Sequence, residues 1–283
     1  MYFDKHKVIT QKLCLTPNMH ANCHTKFHIA YGVDKNFLYD CGISITSIAL
    51  HNSNINYCFH VFTDYFDYEQ EMLFNTLAQQ YDIEINIYFV DDESLKTLPR
   101  TKNWPYATYF KFIITDYFTK KVGRILYLDA DIICNNNLDT LQKIEFNNNK
   151  IAAVVTEKDK KWWQKRASEL EVKSISQGYL NAGFLLINLK RWEEEDISAQ
   201  AIQLLKNNRL KNRFPFLDQD VLNILLTNKV IYLNKKYNTQ YNISYGLQRI
   251  KQRKYCEGVK NYTHYYLAKF KILFKRIKEL CLS

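Results

Sequence analysis

Asp129 and Asp131 stand one residue apart, directly after the apolar run Arg124–Leu128 (RILYL). In an extended chain, residues i and i+2 point to one side, so both carboxylates would converge beyond the end of a strand. Two hard oxygen ligands with open positions suit Mn²⁺ or Mg²⁺ carrying a diphosphate. Ala130 between them leaves room for a ligand to approach the backbone. The same spacing also suits a loop in which Asp131 or Asp139 caps a turn or helix, and spacing alone leaves both readings open.

Three other stretches carry residue types of the same kind. In Tyr31-Gly32-Val33-Asp34-Lys35-Asn36-Phe37 an apolar segment runs through Gly into Asp and Asn. An acid there can accept from a base N–H or a ribose hydroxyl, and Phe37 can stack on a base. A helix cap with Phe37 in the core is the plainer alternative. Asn181-Ala182-Gly183 reads as a small-residue turn opening an apolar strand, and Asn can both donate to and accept from a hydroxyl-rich ligand. Asp218-Gln219-Asp220 stands at a helix start, where acids are favoured in any case. His264, far from the paired aspartates in sequence, is by itself a weak ligand candidate.

These residues need a scaffold, and the pattern supplies one. His28–Val33, Ile55–Thr63, Ile83–Val90 and Val122–Leu128 read as strands. Asn36–Leu50, a segment capped by Asp67 and running to about Gln80, and Trp104–Phe118 read as the helices between them. Strands alternating with helices of this length predict βαβ units and a mainly parallel, Rossmann-like sheet, with ligands beyond the carboxyl ends of its strands. Further on, Ile151–Val155, Gly183–Leu189 and Val230–Leu233 suit strands, and Leu189–Lys206 and Leu217–Thr227 suit helices. Residues 1–26 lack periodicity and read as an N-terminal extension, 27–263 as one α/β domain, and 264–283 as a basic aromatic appendage.

With 283 residues, 47% of them hydrophobic, the chain can bury a substantial core. The seven cysteines have no CxxC framework, which predicts a reducing compartment and argues against structural zinc. No signal peptide is evident, and no apolar run reaches the length of a membrane span. The formal charge of +10 is concentrated in the tail: residues 249–283 hold 10 Lys or Arg against 2 Asp or Glu. The bulk of the chain therefore has no general nucleic-acid-binding character.

Taken in order, HIAYGVDKNF, YLDADI, YLNAGFLLINLKRW and LDQDVLN closely resemble the family-eight glycosyltransferases of the GT-A fold, over roughly residues 27–265. Within that family the likeness is strongest to bacterial lipopolysaccharide-core hexosyltransferases that use UDP-glucose or UDP-galactose. The resemblance implies that Tyr31, Gly32, Asp34, Asn36 and Phe37 surround the uracil and ribose. It implies that Asp129, Ala130 and Asp131 form the metal–diphosphate site, and that Asn181, Ala182 and Gly183 lie by the donor sugar. Lys111 falls where the family often has Arg, and would contact the donor without a bidentate fork. Asp218 and Gln219 would flank the reacting hexose as the catalytic pair. His264 would be the third metal ligand, and Lys269 would contact the phosphates. The motif around them departs from the family's, since Leu267 stands where a Gly is expected and a Pro-Trp pair is missing.

The implied reaction is a retaining transfer from UDP-hexose, with Mn²⁺ or Mg²⁺, to a lipid-linked oligosaccharide acceptor, and front-face attack suits the residues better than a covalent intermediate. Tyr265–Leu282 places Tyr266, Phe270, Leu273, Ile277 and Leu280 on one helical stripe among lysines. Such a helix can lie on an anionic membrane surface or pack on the domain. The first option places the protein in the cytoplasm, peripheral on the inner face of the inner membrane. Two other readings compete: a catalytically silent membrane-surface binding protein that kept the fold, and a phosphatase. The phosphatase is disfavoured because Ile133 stands where that chemistry commonly carries Thr.

Overall fold

The computed structural model describes residues 2–16, 26–52, 56–101, 105–147, 149–208 and 213–239. His264, Lys269 and the basic segment 264–283 lie outside the described residues. A short helix α1 (Lys5–Val8) leads into strand β1 (Ile9–Leu15). Three βα steps follow: β2 (Phe27–Val33) and α2 (Leu38–His51), β3 (Tyr57–Thr63) and α3 (Tyr68–Tyr81), then β4 (Glu84–Val90) and α4 (Phe110–Phe118). The remainder is β5 (Arg124–Leu128), α5 (Asp139–Gln142), β6 (Ala152–Thr156), α6 (Lys160–Leu170), β7 (Leu180–Asn188), α7 (Leu189–Glu194), α8 (Ile197–Asn208), α9 (Leu217–Leu226) and β8 (Val230–Tyr232).

One sheet of eight strands runs β1-β4-β3-β2-β5-β7-β6-β8. β4, β3, β2 and β5 are mutually parallel, β1 and β7 are antiparallel to their neighbours, and β8 is parallel to β6. From β2 the chain proceeds outward through β3 and β4, then returns to the other side of β2 as β5. The strand order therefore reverses between β2 and β5, and a crevice opens at their carboxyl ends. The predicted α/β class holds, with every residue of β3 buried, as a strand covered on both faces must be.

Two apolar cores lie on the two faces of the sheet. α2 and α3 cover one through residues such as Ile45, Phe74 and Leu77. α4, α8 and α9 cover the other through Phe110, Ile113, Leu205 and Val221. The expected cap at Asp67 is present as a full capping box with Gln70.

Four expectations need correction. Part of the segment read as an extension forms β1, which pairs with β4 from Ile9 to Leu15. Its periodicity is hard to see because only Leu15 is buried in this edge strand. Phe3 and Tyr2 are fixed as well, their backbone N–H groups donating to Asp116 at 2.8 and 2.6 Å. Second, Asn181-Ala182-Gly183 is not a turn but part of β7, which begins at Leu180. Third, the helix expected over 189–206 is broken into α7 and α8 at Asp196, whose φ of 48° cannot continue a right-handed helix. Fourth, the α-helix expected from 104 starts at Phe110, after a 3₁₀ turn at Tyr106–Tyr109.

Candidate active site

A cavity of about 280 Å³ occupies the crevice between the ends of β2 and β5. Its lining comes from five parts of the chain: Gly32, Asp34 and Phe37 at the end of β2, Lys111 on α4, Asp129 to Asp131 after β5, Ala182 and Gly183 on β7, and Asp218 and Gln219 on α9.

The β5 end is fixed on both sides. The Tyr127 hydroxyl donates to Asp129 Oδ1 at 3.0 Å, and the Asp129 N–H donates to the Gly183 carbonyl at 2.8 Å. Gly183 leaves the Asp129 carboxylate its place, since a Cβ there would overlap Asp129 Oδ2. Asp131 is exposed to the cleft, yet the walls around it raise its pKa by desolvation, with the negative charge of Asp129 adding to that rise.

At the β2 end, Gly32 lets α4 approach, since a Cβ would meet Phe110 Cβ at 2.8 Å. Asp34 caps the short 3₁₀ turn Lys35–Phe37, accepting from the Asn36 N–H at 2.9 Å. The cap reading of Asp34 is thus realised, and the residue still lines the cavity. Phe37 is 43% exposed, which excludes the core alternative and leaves its ring available for stacking. Tyr31 and Asn36 are placed differently from expectation. Tyr31 points to the opposite face of the sheet, fully buried, with its hydroxyl 3.1 Å from Ser44 Oγ. The reason is the strand's period of two, which turns Tyr31 away wherever Gly32 faces α4. Asn36 is exposed beside the cavity and not among its lining residues.

α4, β7 and α9 deliver the remaining groups. Lys111 and Asp218 form an ion pair with both side chains 3% exposed. Lys111 also donates to the Ala182 carbonyl at 3.2 Å. Burial raises the pKa of Asp218, while the Lys111 charge acts against that rise. Gln219 is held by its amide: its oxygen accepts from the Ala182 N–H at 3.0 Å, and its nitrogen donates to Glu157 at 2.8 Å. Asn181 sits one layer back, donating to Glu157 at 3.1 Å and accepting from the Gly183 N–H at 3.0 Å. Asp220, the second acid of the Asp-Gln-Asp run, is structural. It accepts two bonds from Arg166, at 2.9 and 2.6 Å, and one from the Tyr179 hydroxyl at 2.7 Å.

Sequence reasoning missed Tyr127, Glu157 and Arg166. Glu157 had a signal, because it follows the apolar strand Ala152–Thr156 as Asp129 follows β5. The Arg166–Asp220 pair had none, since 54 residues separate its members.

Among the described residues, the cavity lining carries four carboxylates (Asp34, Asp129, Asp131, Asp218) and one lysine, which is already paired with Asp218. An anionic ligand would be repelled there unless a cation accompanied it. The Asp129 and Asp131 oxygens have the hard-donor chemistry for Mg²⁺ or Mn²⁺, and the cavity leaves positions for further ligands.

An α/β fold with acids at its switch point has the GT-A architecture, and comparison with known proteins identifies the family. The profile of Glycosyl transferase family 8 matches residues 28–270, and the chain belongs to that family. It is 49% identical over 247 residues to a lipopolysaccharide 1,3-galactosyltransferase of Salmonella typhimurium, covering 87% of this chain and 73% of that protein. It is 46% identical over 243 residues to the lipopolysaccharide glucosyltransferase WaaO of Escherichia coli, covering 86% and 68%. The solved structure of galactosyltransferase LgtC in complex with donor and acceptor sugar analogs shares the fold, with a TM-score of 0.62 at 22% identity, over 75% of this chain and 74% of that one.

Proposed function

We propose that the protein transfers glucose or galactose from a UDP-hexose to a lipopolysaccharide or lipooligosaccharide core acceptor, with retention at the anomeric carbon. The observation that carries this reading is the convergence of Asp34, Lys111, Asp129, Asp131, Gly183, Asp218 and Gln219 on one cavity. The identity of 49% to a lipopolysaccharide galactosyltransferase and of 46% to a lipopolysaccharide glucosyltransferase supports the acceptor class and leaves both hexoses open.

In this reading Asp129 and Asp131 hold Mn²⁺ or Mg²⁺, which when bound supplies positive charge against the departing diphosphate. Phe37 stacks on the uracil, and Asp34 accepts from the ribose or base. Gly183 and the Ala182 backbone border the hexose. Gln219 is oriented by Ala182 and Glu157 and presents its side chain to the sugar. Lys111 keeps the Asp218 carboxylate paired, which opposes its use as a covalent nucleophile and favours attack from the front face. In that route the leaving diphosphate oxygen takes the acceptor's proton. The oxocarbenium-like transition state is stabilised by the surrounding carboxylates.

The test is transfer from UDP-glucose and UDP-galactose, with Mn²⁺, to core oligosaccharide lacking its outer hexoses, the product anomer being read by NMR. One donor should turn over with retention, and Asp129→Ala should abolish transfer. Absence of UDP-hexose binding by calorimetry with Mn²⁺ would sink the proposal, and an inverted product would sink the retaining mechanism.

A further inference from the structure

The opposite end of the same sheet carries a second cluster of metal-ligating side chains. His28 on β2 and Cys58 and His60 on β3 have their ligand atoms within 4.8 Å of one another. The register explains the convergence. His28 lies opposite Cys58, and Cys58 and His60, two apart, project from the same face. The expected absence of CxxC or CxH spacing, the argument against structural zinc, overlooks Cys58-Phe59-His60, a C-x-H pair whose partner lies 30 residues upstream, where spacing gives no hint.

The cluster has the order of a built site. Cys58 and His60 are 2% and 3% exposed, and His28 is half-buried. His28 Nδ1 is 3.0 Å from His60 Nε2. That spacing is close to the roughly 3.3 Å between two nitrogens of a tetrahedral zinc centre with Zn–N bonds near 2.0–2.1 Å. The Cys58 sulfur lies within 4.8 Å of both nitrogens, and a χ1 adjustment can bring it to its own position. Groups that orient ligands are already in place. The Tyr88 hydroxyl is 3.2 Å from His60 Nδ1, so that when it accepts from that nitrogen, Nε2 presents a lone pair to the site. Asn86 donates to Cys58 Sγ at 3.3 Å and to Glu84 at 2.8 Å. The thiol of Cys58 donates to Glu84 at 3.2 Å, and Lys26 pairs with the same carboxylate. Around the cluster the sheet face is apolar, with Ala30, Phe62 and Phe118.

We propose that His28, Cys58 and His60 bind a zinc ion that clamps the amino ends of β2 and β3. Two imidazoles and a thiolate favour zinc over the hard cations suited to Asp129 and Asp131. Binding releases the thiol proton of Cys58 to solvent and forms the Zn–S bond. His28 coordinates through Nδ1 with its proton on Nε2. The fourth position is left to Glu84 or to water. The strand rise puts this centre about 16 Å from the carboxyl end of β2, so it takes no part in sugar transfer. It does not rest on the proposed transferase reading.

Cobalt(II) titration of the full chain, kept reduced with a phosphine, tests the proposal. Wild type and Asp131→Asn should both show a thiolate-to-cobalt charge-transfer band, displaced by one equivalent of zinc. Cys58→Ser should lose it, with apparent zinc affinity falling more than about tenfold. His28→Asn, at a half-buried position, should fold and bind cobalt with the same band but weaker affinity, which keeps the test open if Cys58→Ser does not fold. Zinc should raise the melting temperature of wild type and of Asp131→Asn. A missing band in folded wild type, a band that survives Cys58→Ser, or unchanged affinity in His28→Asn overturns the assignment.

Discussion

At the scale of single residues, the cavity's charges decide what the site can do. Lys111 and Asp218 are paired out of water, and truncating one member of such a pair costs roughly 3–5 kcal/mol because the other is left buried and uncompensated. Lys111→Met should therefore lower the melting temperature as well as activity, and Lys111→Arg, which keeps the charge, should retain more of both. Thermal unfolding of the two variants beside wild type checks this. Asp131 makes a separate prediction. A cation is held by the ionised carboxylate, and desolvation with the Asp129 charge raises the pKa of Asp131. Mn²⁺ affinity should therefore rise with pH, and on acidification it should begin to fall above the usual aspartate value of about 3.9. Calorimetric Mn²⁺ titrations across the range of about pH 4 to 7 measure this, and Asp131→Asn should bind weakly at every pH. The paired aspartates were legible because two acids behind an apolar run are unusual in a chain that must bury its strands. The Lys111–Asp218 pair was not, since 107 residues separate two side chains that meet only after β2, β5 and β7 have assembled.

At the scale of elements, β7 and α9 position the chemistry together. Asn223 joins them, accepting from the Leu180 N–H at 2.7 Å and donating to the Leu180 carbonyl at 3.0 Å. Leu217 opens α9 at a φ of 43°, a conformation costly for a branched residue, and Asp218 and Gln219 follow it directly. The start of β7 was read as a turn because Asn, Ala and Gly are turn residues by composition. Pairing with β5 and β6 overrides that preference, and the pairing shift between Val154 and Thr156 marks where the strand adjusts. Period-two and period-3.6 patterns found the central strands and helices because their faces are buried. They missed β1, whose burial is confined to one end. Gly183→Ala isolates the positioning role of β7. The added methyl would overlap the Asp129 carboxylate, a side-chain atom that can move, so fold stability should change little. Metal-dependent turnover should fall by at least about tenfold, the size that a misplaced reacting group readily reaches. Matching melting curves with unequal transfer rates would bear this out, and equal rates would show that Asp129 need not stand where Gly183 leaves it room.

At the scale of the molecule, one sheet has two chemically distinct ends. The carboxyl ends of β2 and β5 gather hard oxygen donors in an open cavity, and the amino ends of β2 and β3 gather nitrogen and sulfur under Phe118. Both should couple to folding by mass action, because a ligand that binds only the native state stabilises it by about 2.7 kcal/mol at a hundredfold excess over its dissociation constant. For a chain of this size that corresponds to a rise of about 5 °C. UDP with Mn²⁺ and zinc should each produce such a shift. Sites separated by about 16 Å of strand with no shared ligand should contribute additively, within a few tenths of a kcal/mol. Scanning calorimetry with either ligand and with both measures the sum. Asp131→Asn should shrink the UDP–Mn²⁺ increment and keep the full zinc increment, and His28→Asn should shrink the zinc increment and keep that of UDP–Mn²⁺. If both variants lost both increments, the two ends would be coupled through β2, and the separation of a catalytic end from a structural one would have to be abandoned.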